Sequence, residues 1–310
     1  MTVSSTQSRR IAVEPKSGRF ESLEQAVELG GGEVVDIEHA DALVWADPTV
    51  PDRLPSVLAQ GNQVEWVALP FAGIEPYVPF LDHDRVWTCA RGVYSRPVAE
   101  HVMATGLAGL RGLVGYARAN QWSDQIGHNL LDGRVAIFGA GGITTELIRL
   151  LGPFNVEINV VRRTPDPVPG AAKTVALQDR LQALAGADLV VLALALTPET
   201  HQVISTPELH AMASHGWLVN VARGRHVDDK ALIEALQDGV IGGACLDVTD
   251  PEPLPDDHAY WTLPNVLITP HVGNTPEMGV PLLADHIVDN VSRFCYDKPL
   301  MGVVDVDAGY

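Results

Sequence analysis

An α/β architecture with two doubly wound, parallel-sheet domains is expected for this chain. Short apolar runs alternate with helical patterns throughout, as in repeated βαβ units. The chain has 310 residues, and at roughly 100–200 residues per domain that length suits two domains. Its longest apolar run, Leu189–Leu196, is far shorter than the roughly 20 residues of a membrane span and reads as a buried strand.

The elements follow in order. Ile11–Glu14 is a short β-rich run. Phe20–Leu29 spaces Phe20, Leu23, Ala26 and Val27 as a helix and stops at Gly30-Gly31-Gly32. Val34–Ile37 and Leu43–Ala46 read as strands, Pro51–Gln60 as a short helix, and Val64–Leu69 and Val86–Ala90 as strands. A long helix is expected from Arg96 to Ala119. Its small residues, among them Thr105, Gly106 and Gly109, suit close packing at a domain junction or a subunit interface. The polar stretch Ala119–Gly133 connects it to the second half. There the strands are Val135–Phe138, Glu157–Val161, Leu189–Leu194, Trp217–Val221, Gly243–Leu246 and Val266–Thr269. Ile143–Leu151, Gln178–Ala185, Pro207–Met212 and Asp228–Gln237 are helices between them, and Pro276–Tyr296 is a long final helix.

Composition narrows the functions. Hydrophobic residues make up 46% and charged residues 19%, an ordinary globular balance that excludes disorder of the whole chain. The formal net charge is −18, from 39 acidic and 21 basic side chains. Such a surface repels nucleic acid and anionic membranes. Cys89, Cys245 and Cys295 lie far apart with no metal-ligand spacing, so no metal is expected. Sparse, odd cysteines suit a reduced, cytoplasmic protein, and Met1–Arg10 has no apolar core of a secretory signal.

One segment has the form of a dinucleotide-binding turn. Val135–Phe138 runs into Gly139-Ala140-Gly141-Gly142-Ile143-Thr144, a strand, a glycine turn and a helix start. The first glycine permits the tight turn, and the second lets a pyrophosphate approach backbone N–H groups at the helix N-terminus. Thr144 departs from the small residue usual at the third position. An acidic residue about 20 positions on would bind the ribose hydroxyls of NAD; Arg162 and Arg163 stand there instead. Two guanidiniums suit a 2′-phosphate, so NADP is expected over NAD. The bland alternative is a pair of solvated strand-end charges.

Three further segments put polar groups at strand ends, where ligands bind in open α/β sheets. These are Asn220-Val221-Ala222-Arg223-Gly224, Asp247 through Pro251-Glu252-Pro253, and Thr269-Pro270-His271-Val272-Gly273. Together with the glycine turn, Leu196–Thr200, Leu69–Gly73 and Pro97–His101, they make the sequence resemble the D-isomer-specific 2-hydroxyacid dehydrogenase family. Within it the look is of glyoxylate/hydroxypyruvate reductase-like or phosphoglycerate dehydrogenase-like members. Formate dehydrogenases of the family carry Gln where Glu252 stands. The chain stops at Tyr310, so a regulatory extension of the phosphoglycerate dehydrogenase type is not expected.

The resemblance implies a flavodoxin-like substrate domain, 1–97 with 284–310, around a Rossmann cofactor domain, 98–283. It implies His271 as acid and base, Glu252 as its carboxylate partner and Arg223 as the substrate-carboxylate clamp. The backbone at Ala72 and Gly73 would hold the other carboxylate oxygen. Gly139, Gly141, Gly142, Ile143, Arg162, Arg163, Thr197, Pro198, Val221, Ala222, Asp247 and Gly273 would form the cofactor groove, with Asp247 on the nicotinamide carboxamide. The implied activity is reduction of a small 2-oxoacid by NADPH, in a homodimer. Two alternatives stay open: an NAD-dependent dehydrogenase of a phosphorylated or larger 2-hydroxyacid, and a non-enzymatic, dinucleotide-sensing corepressor-like module. His101 reads as a packing residue. Ala195 replaces a family proline, and Phe71 stands where it would crowd the substrate.

Overall fold

The computed structural model describes residues 8–16, 19–61 and 63–309. The segment Met1–Gln7, part of the stretch read for a secretory signal, and Tyr310 lie outside them. In chain order the elements begin with β1 (Arg10–Glu14), α1 (Phe20–Leu29), β2 (Glu33–Val34), β3 (Ala42–Trp45), α2 (Leu54–Leu58), β4 (Trp66–Leu69) and β5 (Val86–Cys89). There follow α3 (Ser95–Leu110), α4 (Leu113–Arg118), β6 (Arg134–Phe138), α5 (Gly142–Leu151), β7 (Glu157–Arg162), β8 (Lys173–Ala176), α6 (Arg180–Leu184) and β9 (Leu189–Leu192). The last are α7 (Thr206–Ala211), β10 (Trp217–Asn220), α8 (Asp229–Gln237), β11 (Gly243–Leu246), β12 (Val266–Ile268) and α9 (Pro276–Cys295).

The chain divides into two compact units, Met1–Tyr94 with Thr275–Tyr310, and Ser95–Asn274. The first holds a five-stranded sheet in the order β2-β1-β3-β4-β5, with all pairs parallel. This is the flavodoxin-like order. Alternate strand residues serve opposite faces. Leu43, Trp45, Val67 and Leu69 pack with Leu54, Val57 and Leu58 of α2. Ala42, Val44, Trp66 and Ala68 pack with Leu23, Ala26 and Val27 of α1 and with Leu283, Ile287 and Val291 of α9.

The second unit holds a seven-stranded sheet in the order β12-β11-β10-β9-β6-β7-β8, again all parallel. The chain enters at β6, winds outward to β8, then returns to β9 on the other side. The reversal between β6 and β9 is the topological switch point of a Rossmann sheet. Ala136, Phe138, Val190 and Leu218 pack towards α6, α7 and α8. Val135, Ile137, Val191 and Val219 pack towards α3 and α5. Among the described residues, no helix is long and apolar enough to cross a membrane.

Several expectations are corrected. The helix expected over Arg96–Ala119 is two helices, because Gly112 turns the chain at φ 70°. Its small-residue face is used inside its own unit: a Cβ on Gly106 would meet Leu189 at 3.0 Å, and one on Gly109 would meet the Trp217 ring at 2.3 Å. That face therefore gives no argument for a subunit interface. The strand expected at Val34–Ile37 ends at Val34, and a 3-10 turn covers Ile37–His39. β8 was not foreseen. The expected domain limits at 97/98 and 283/284 fall inside α3 and α9, whereas the units divide at 94/95 and 274/275. Each helix goes whole to the sheet that buries its apolar face.

Because a Cβ on Gly109 would press into the buried Trp217 ring, Gly109→Val should cost about 1–3 kcal/mol by over-packing. Urea denaturation should show a lower midpoint; an unchanged midpoint would contradict this packing.

Candidate active site

All the chemistry-bearing segments of the second unit lie on loops that follow the carboxyl ends of its strands. After β6, Gly139 adopts φ 104°, and a Cβ there would lie 2.1 Å from the Ala193 carbonyl oxygen. Only glycine fits. A Cβ on Gly141 would meet nothing within 4 Å, so the backbone borders open space, and α5 begins at Gly142. Thr144 is fully buried and its hydroxyl donates to the Gly139 carbonyl at 2.9 Å. The departure from the usual small residue thus ties down the tight turn. After β7, partly buried Arg162 donates to the Asp166 carbonyl at 3.3 Å, and Arg163 is exposed. The Thr197 hydroxyl above all, with a lesser pull from Arg163, holds the Glu199 carboxyl below its usual range.

The loop after β9 is closed by Thr200. Its hydroxyl donates to the Ala195 carbonyl at 2.8 Å and accepts from the Thr197 N–H at 2.8 Å. After β10, fully buried Asn220 staples the turn that carries Arg223. It accepts from the Ala222 N–H at 3.1 Å and donates to the Arg223 carbonyl at 2.8 Å. Fully buried His226 joins the two loops: its Nδ1 accepts from the Arg223 N–H at 3.2 Å, and its Nε2–H donates to the Ala195 carbonyl at 3.3 Å. A Cβ on Gly224 would lie 2.0 Å from the Thr249 carbonyl carbon. This close backbone approach brings the Arg223 turn against the loop that bears Glu252.

The loops after β11 and β12 meet at a charged pair. His271 Nδ1 lies 3.0 Å from Glu252 Oε2. A carboxylate only accepts, so Nδ1 carries hydrogen and Nε2 is left for the exchanging proton. Both side chains are about half-exposed. The hydrogen bond to Glu252 raises the His271 pKa; burial opposes it, the charges of Glu252 and Asp247 add to it, and Arg223 works against it. Burial pushes the Glu252 carboxyl up, but His271, the Thr249 N–H and the Arg223 charge outweigh this and hold it below its usual range.

His271 sits in the left-handed region at φ 53°, a conformation that a bulky residue keeps only when its surroundings impose it. Asp247 imposes it. Its backbone carbonyl accepts from the His271 N–H at 2.8 Å. Its carboxylate, 5% exposed, accepts from the Val272 and Gly273 N–H groups at 2.9 Å each and from the Thr269 hydroxyl at 2.6 Å. Burial pushes this carboxyl up, yet His101, Thr269 and the two amides hold it at about 2.

Of the residues singled out in the sequence, the structure therefore pairs Glu252 with His271 and sets Arg223 close enough to act on both. Gly139, Gly141, Gly142, Ile143, Thr197, Pro198, Val221 and Ala222 share the same sheet end with them. Ala72 and Gly73 lie in the first unit, between β4 and the 3-10 turn Glu75–Phe80. The Ala90 N–H and the Tyr94 hydroxyl hold the preceding carbonyls of Phe71 and Pro70. Asn220 and Thr269 stood inside the strand-end motifs without a role assigned to them, His101 was read as a packing residue, and His226 was not singled out.

Comparison with known proteins places the chain in a family. Residues 103–273 match the family model "D-isomer specific 2-hydroxyacid dehydrogenase, NAD binding domain". The chain belongs to the D-isomer specific 2-hydroxyacid dehydrogenase family. It is an NAD(P)-dependent D-2-hydroxyacid dehydrogenase by that membership. An uncharacterized protein of Corynebacterium melassecola is 37% identical over 302 residues, covering 94% of this chain and 97% of its own. The glyoxylate/hydroxypyruvate reductase A of Yersinia enterocolitica is 29% identical over 89% of each chain. Among solved structures, a D-isomer specific 2-hydroxyacid dehydrogenase from Xanthobacter autotrophicus Py2, in complex with NADPH and MES, is 26% identical. It superposes with a TM-score of 0.83 over 98% of this chain and 100% of its own. The NADPH-dependent glyoxylate/hydroxypyruvate reductase of Sinorhizobium meliloti, in complex with NADP and sulfate, has a TM-score of 0.82 at 26% identity, over 97% and 100% of the two chains.

Asp247 supplies a stability test. A carboxyl held at about 2 in the folded protein, against about 3.9 unfolded, contributes stability that is present above pH ~4 and lost as pH falls towards 2. Its size is about 2 kcal/mol. Asp247→Asn should lower the urea midpoint at pH 7 and flatten the acid loss between pH ~4 and ~2. An unchanged acid profile would contradict the anchoring role.

Proposed function

We propose that this dehydrogenase is an NADPH-preferring reductase of small 2-oxoacids of the glyoxylate and hydroxypyruvate kind, forming the D-2-hydroxyacid. The observation that carries the reading is the His271–Glu252 pair beside Arg223, at the same sheet end as a glycine cradle flanked by Arg162 and Arg163. The reductases of Yersinia enterocolitica and Sinorhizobium meliloti support the substrate class, and the bound NADPH and NADP of the solved relatives support the cofactor.

The residues present fit the dinucleotide. Gly141 leaves the backbone open towards the space beside the α5 N-terminus, so the N–H groups of Gly141, Gly142 and Ile143 would take the pyrophosphate. Arg162 and Arg163 would take the 2′-phosphate. Thr197, Pro198, Val221, Ala222 and Gly273 would line the groove. Asp247 Oδ2, which accepts the Gly273 N–H at 2.9 Å, would take the carboxamide N–H.

NADPH, when bound, would supply the hydride for C2 of the oxoacid. Arg223 clamps the substrate carboxylate and polarises the carbonyl. His271 donates its Nε2 proton to the C2 oxygen as negative charge develops there. Glu252 keeps the imidazolium populated and the ring oriented. A homodimer follows from the resemblance alone, and a cytoplasmic location is supported by the free thiols of Cys89, Cys245 and Cys295.

His271→Ala should abolish 2-oxoacid-dependent NADPH oxidation while leaving NADPH binding intact; normal turnover would refute the assignment. Reduction needs the imidazolium, so kcat/KM should hold on the acid side and fall as pH rises through the raised His271 pKa. Glu252→Gln should move that fall to lower pH. NADPH should be preferred to NADH, and Arg162→Ala with Arg163→Ala should cost roughly tenfold to a hundredfold in kcat/KM for NADPH alone. A native preference for NADH would overturn the cofactor reading.

A further inference from the structure

The proton donor stands on a loop whose conformation is costly, and the groups holding that loop extend beyond the residues that meet substrate or cofactor. Behind Asp247 lies His101, on α3, with a side chain 17% exposed. Its Nε2 is 3.1 Å from Thr269 Oγ1 and 3.4 Å from Asp247 Oδ1. The Thr269 hydroxyl has one hydrogen, and at 2.6 Å it gives that hydrogen to Asp247. Thr269 Oγ1 therefore accepts from His101, which makes the hydrogen on Nε2 obligatory. The chain of donors runs one way: His101 to Thr269, Thr269 to Asp247. From the other side, Asp247 Oδ1 takes the Val272 N–H and Oδ2 takes the Gly273 N–H. The contact is also steric. A Cβ on Gly273 would meet Asp247 Oδ2 at 3.1 Å and His101 Cδ2 at 3.7 Å.

We propose that His101 is a positioning residue for the proton donor: its Nε2–H, through the Thr269 hydroxyl and the Asp247 carboxylate, locks the loop that holds His271 in its left-handed conformation. His101 touches neither substrate nor the reacting atoms. Its work is to keep Asp247 ionised, immobile and aimed at the two amides after His271. Without this donor, Asp247 Oδ1 loses its ordered hydroxyl, since Thr269 is free to rotate. The loop then relaxes towards the ordinary backbone region that His271 prefers, and Nδ1 leaves Glu252. The groups that bear on the His271 charge are Glu252 from the loop after β11, Asp247 at the end of β11 and Arg223 from the loop after β10. His101 stands on the fourth element packed there, α3.

The proposal rests on His271 as the proton donor, so His271→Ala is assayed beside the new variants. Steady-state 2-oxoacid reduction is measured across pH for His101→Ala, His101→Gln and Thr269→Val, each checked for a cooperative thermal transition. His101→Ala and Thr269→Val should lower kcat about tenfold to a hundredfold, as misplaced catalytic groups do. The alkaline fall in kcat/KM should shift to lower pH, because the Glu252 contact that raises the His271 pKa is lost. His101→Gln, which keeps an N–H at a similar reach, should restore kcat to within about threefold of the native value. If His101→Ala keeps the native kcat and pH profile while His271→Ala is inactive, the positioning role is overturned and the acid–base reading stands. If His101→Gln is as impaired as His101→Ala, or the pH fall does not move, His101 only packs. An active His271→Ala would instead refute the acid–base reading.

Discussion

A parallel sheet buried on both faces can offer a ligand only the ends of its strands, and this constraint organises the second unit. The faces are spent on two apolar cores, one under α3 and α5 and one under α6, α7 and α8. What remains is a row of loops following β6, β7, β9, β10, β11 and β12. They can converge only if the backbone passes without side chains at two places. One is Gly139 against Ala193, the other Gly224 against Thr249. Both approaches are closer than any Cβ allows, so both glycines serve geometry first and chemistry through it.

Polar groups behind those loops then hold what the loops present. Asn220 and His226 fix the Arg223 turn, Thr200 closes the loop after β9, and Asp247 gathers the amides after His271. Asn220, His226 and Asp247 are buried groups whose hydrogen bonds go mainly to backbone, which is how a buried polar side chain avoids its desolvation cost. The net charge of −18 sharpens the point. In so acidic a chain, an anionic substrate and an anionic cofactor need cations concentrated at one place. Arg162, Arg163, Arg223 and the raised His271 lie at the same end of the sheet.

Much of the fold was readable because parallel strands are short apolar runs with punctuation. Gly243–Leu246 coincides with β11, and most other strands agree to within a residue or two. β8 escaped because Lys173-Thr174-Val175-Ala176 is an edge strand with half its residues polar. The break between α3 and α4 escaped because Gly112 sits in a run already rich in small residues. The site was readable wherever a motif carries its own local reason, as with Gly139, Gly141, Arg223, Glu252 and His271. His101 was not. Its partner Thr269 is 168 residues away, and nothing local marks a helix-borne histidine as part of a distant loop. His226 was hidden by the same kind of distance, reaching Ala195 across 31 residues.

The central claim is that Glu252 holds His271 by Nδ1 and keeps it protonated above the ordinary imidazole range. Nitrogen-15 NMR of histidine-labelled protein, titrated through neutrality, tests it most directly. The account predicts one histidine, absent from His271→Ala, whose Nδ1 stays protonated throughout and whose Nε2 titrates above about 6.5. A His271 that titrates at or below that value, or that loses its Nδ1 hydrogen, would contradict it.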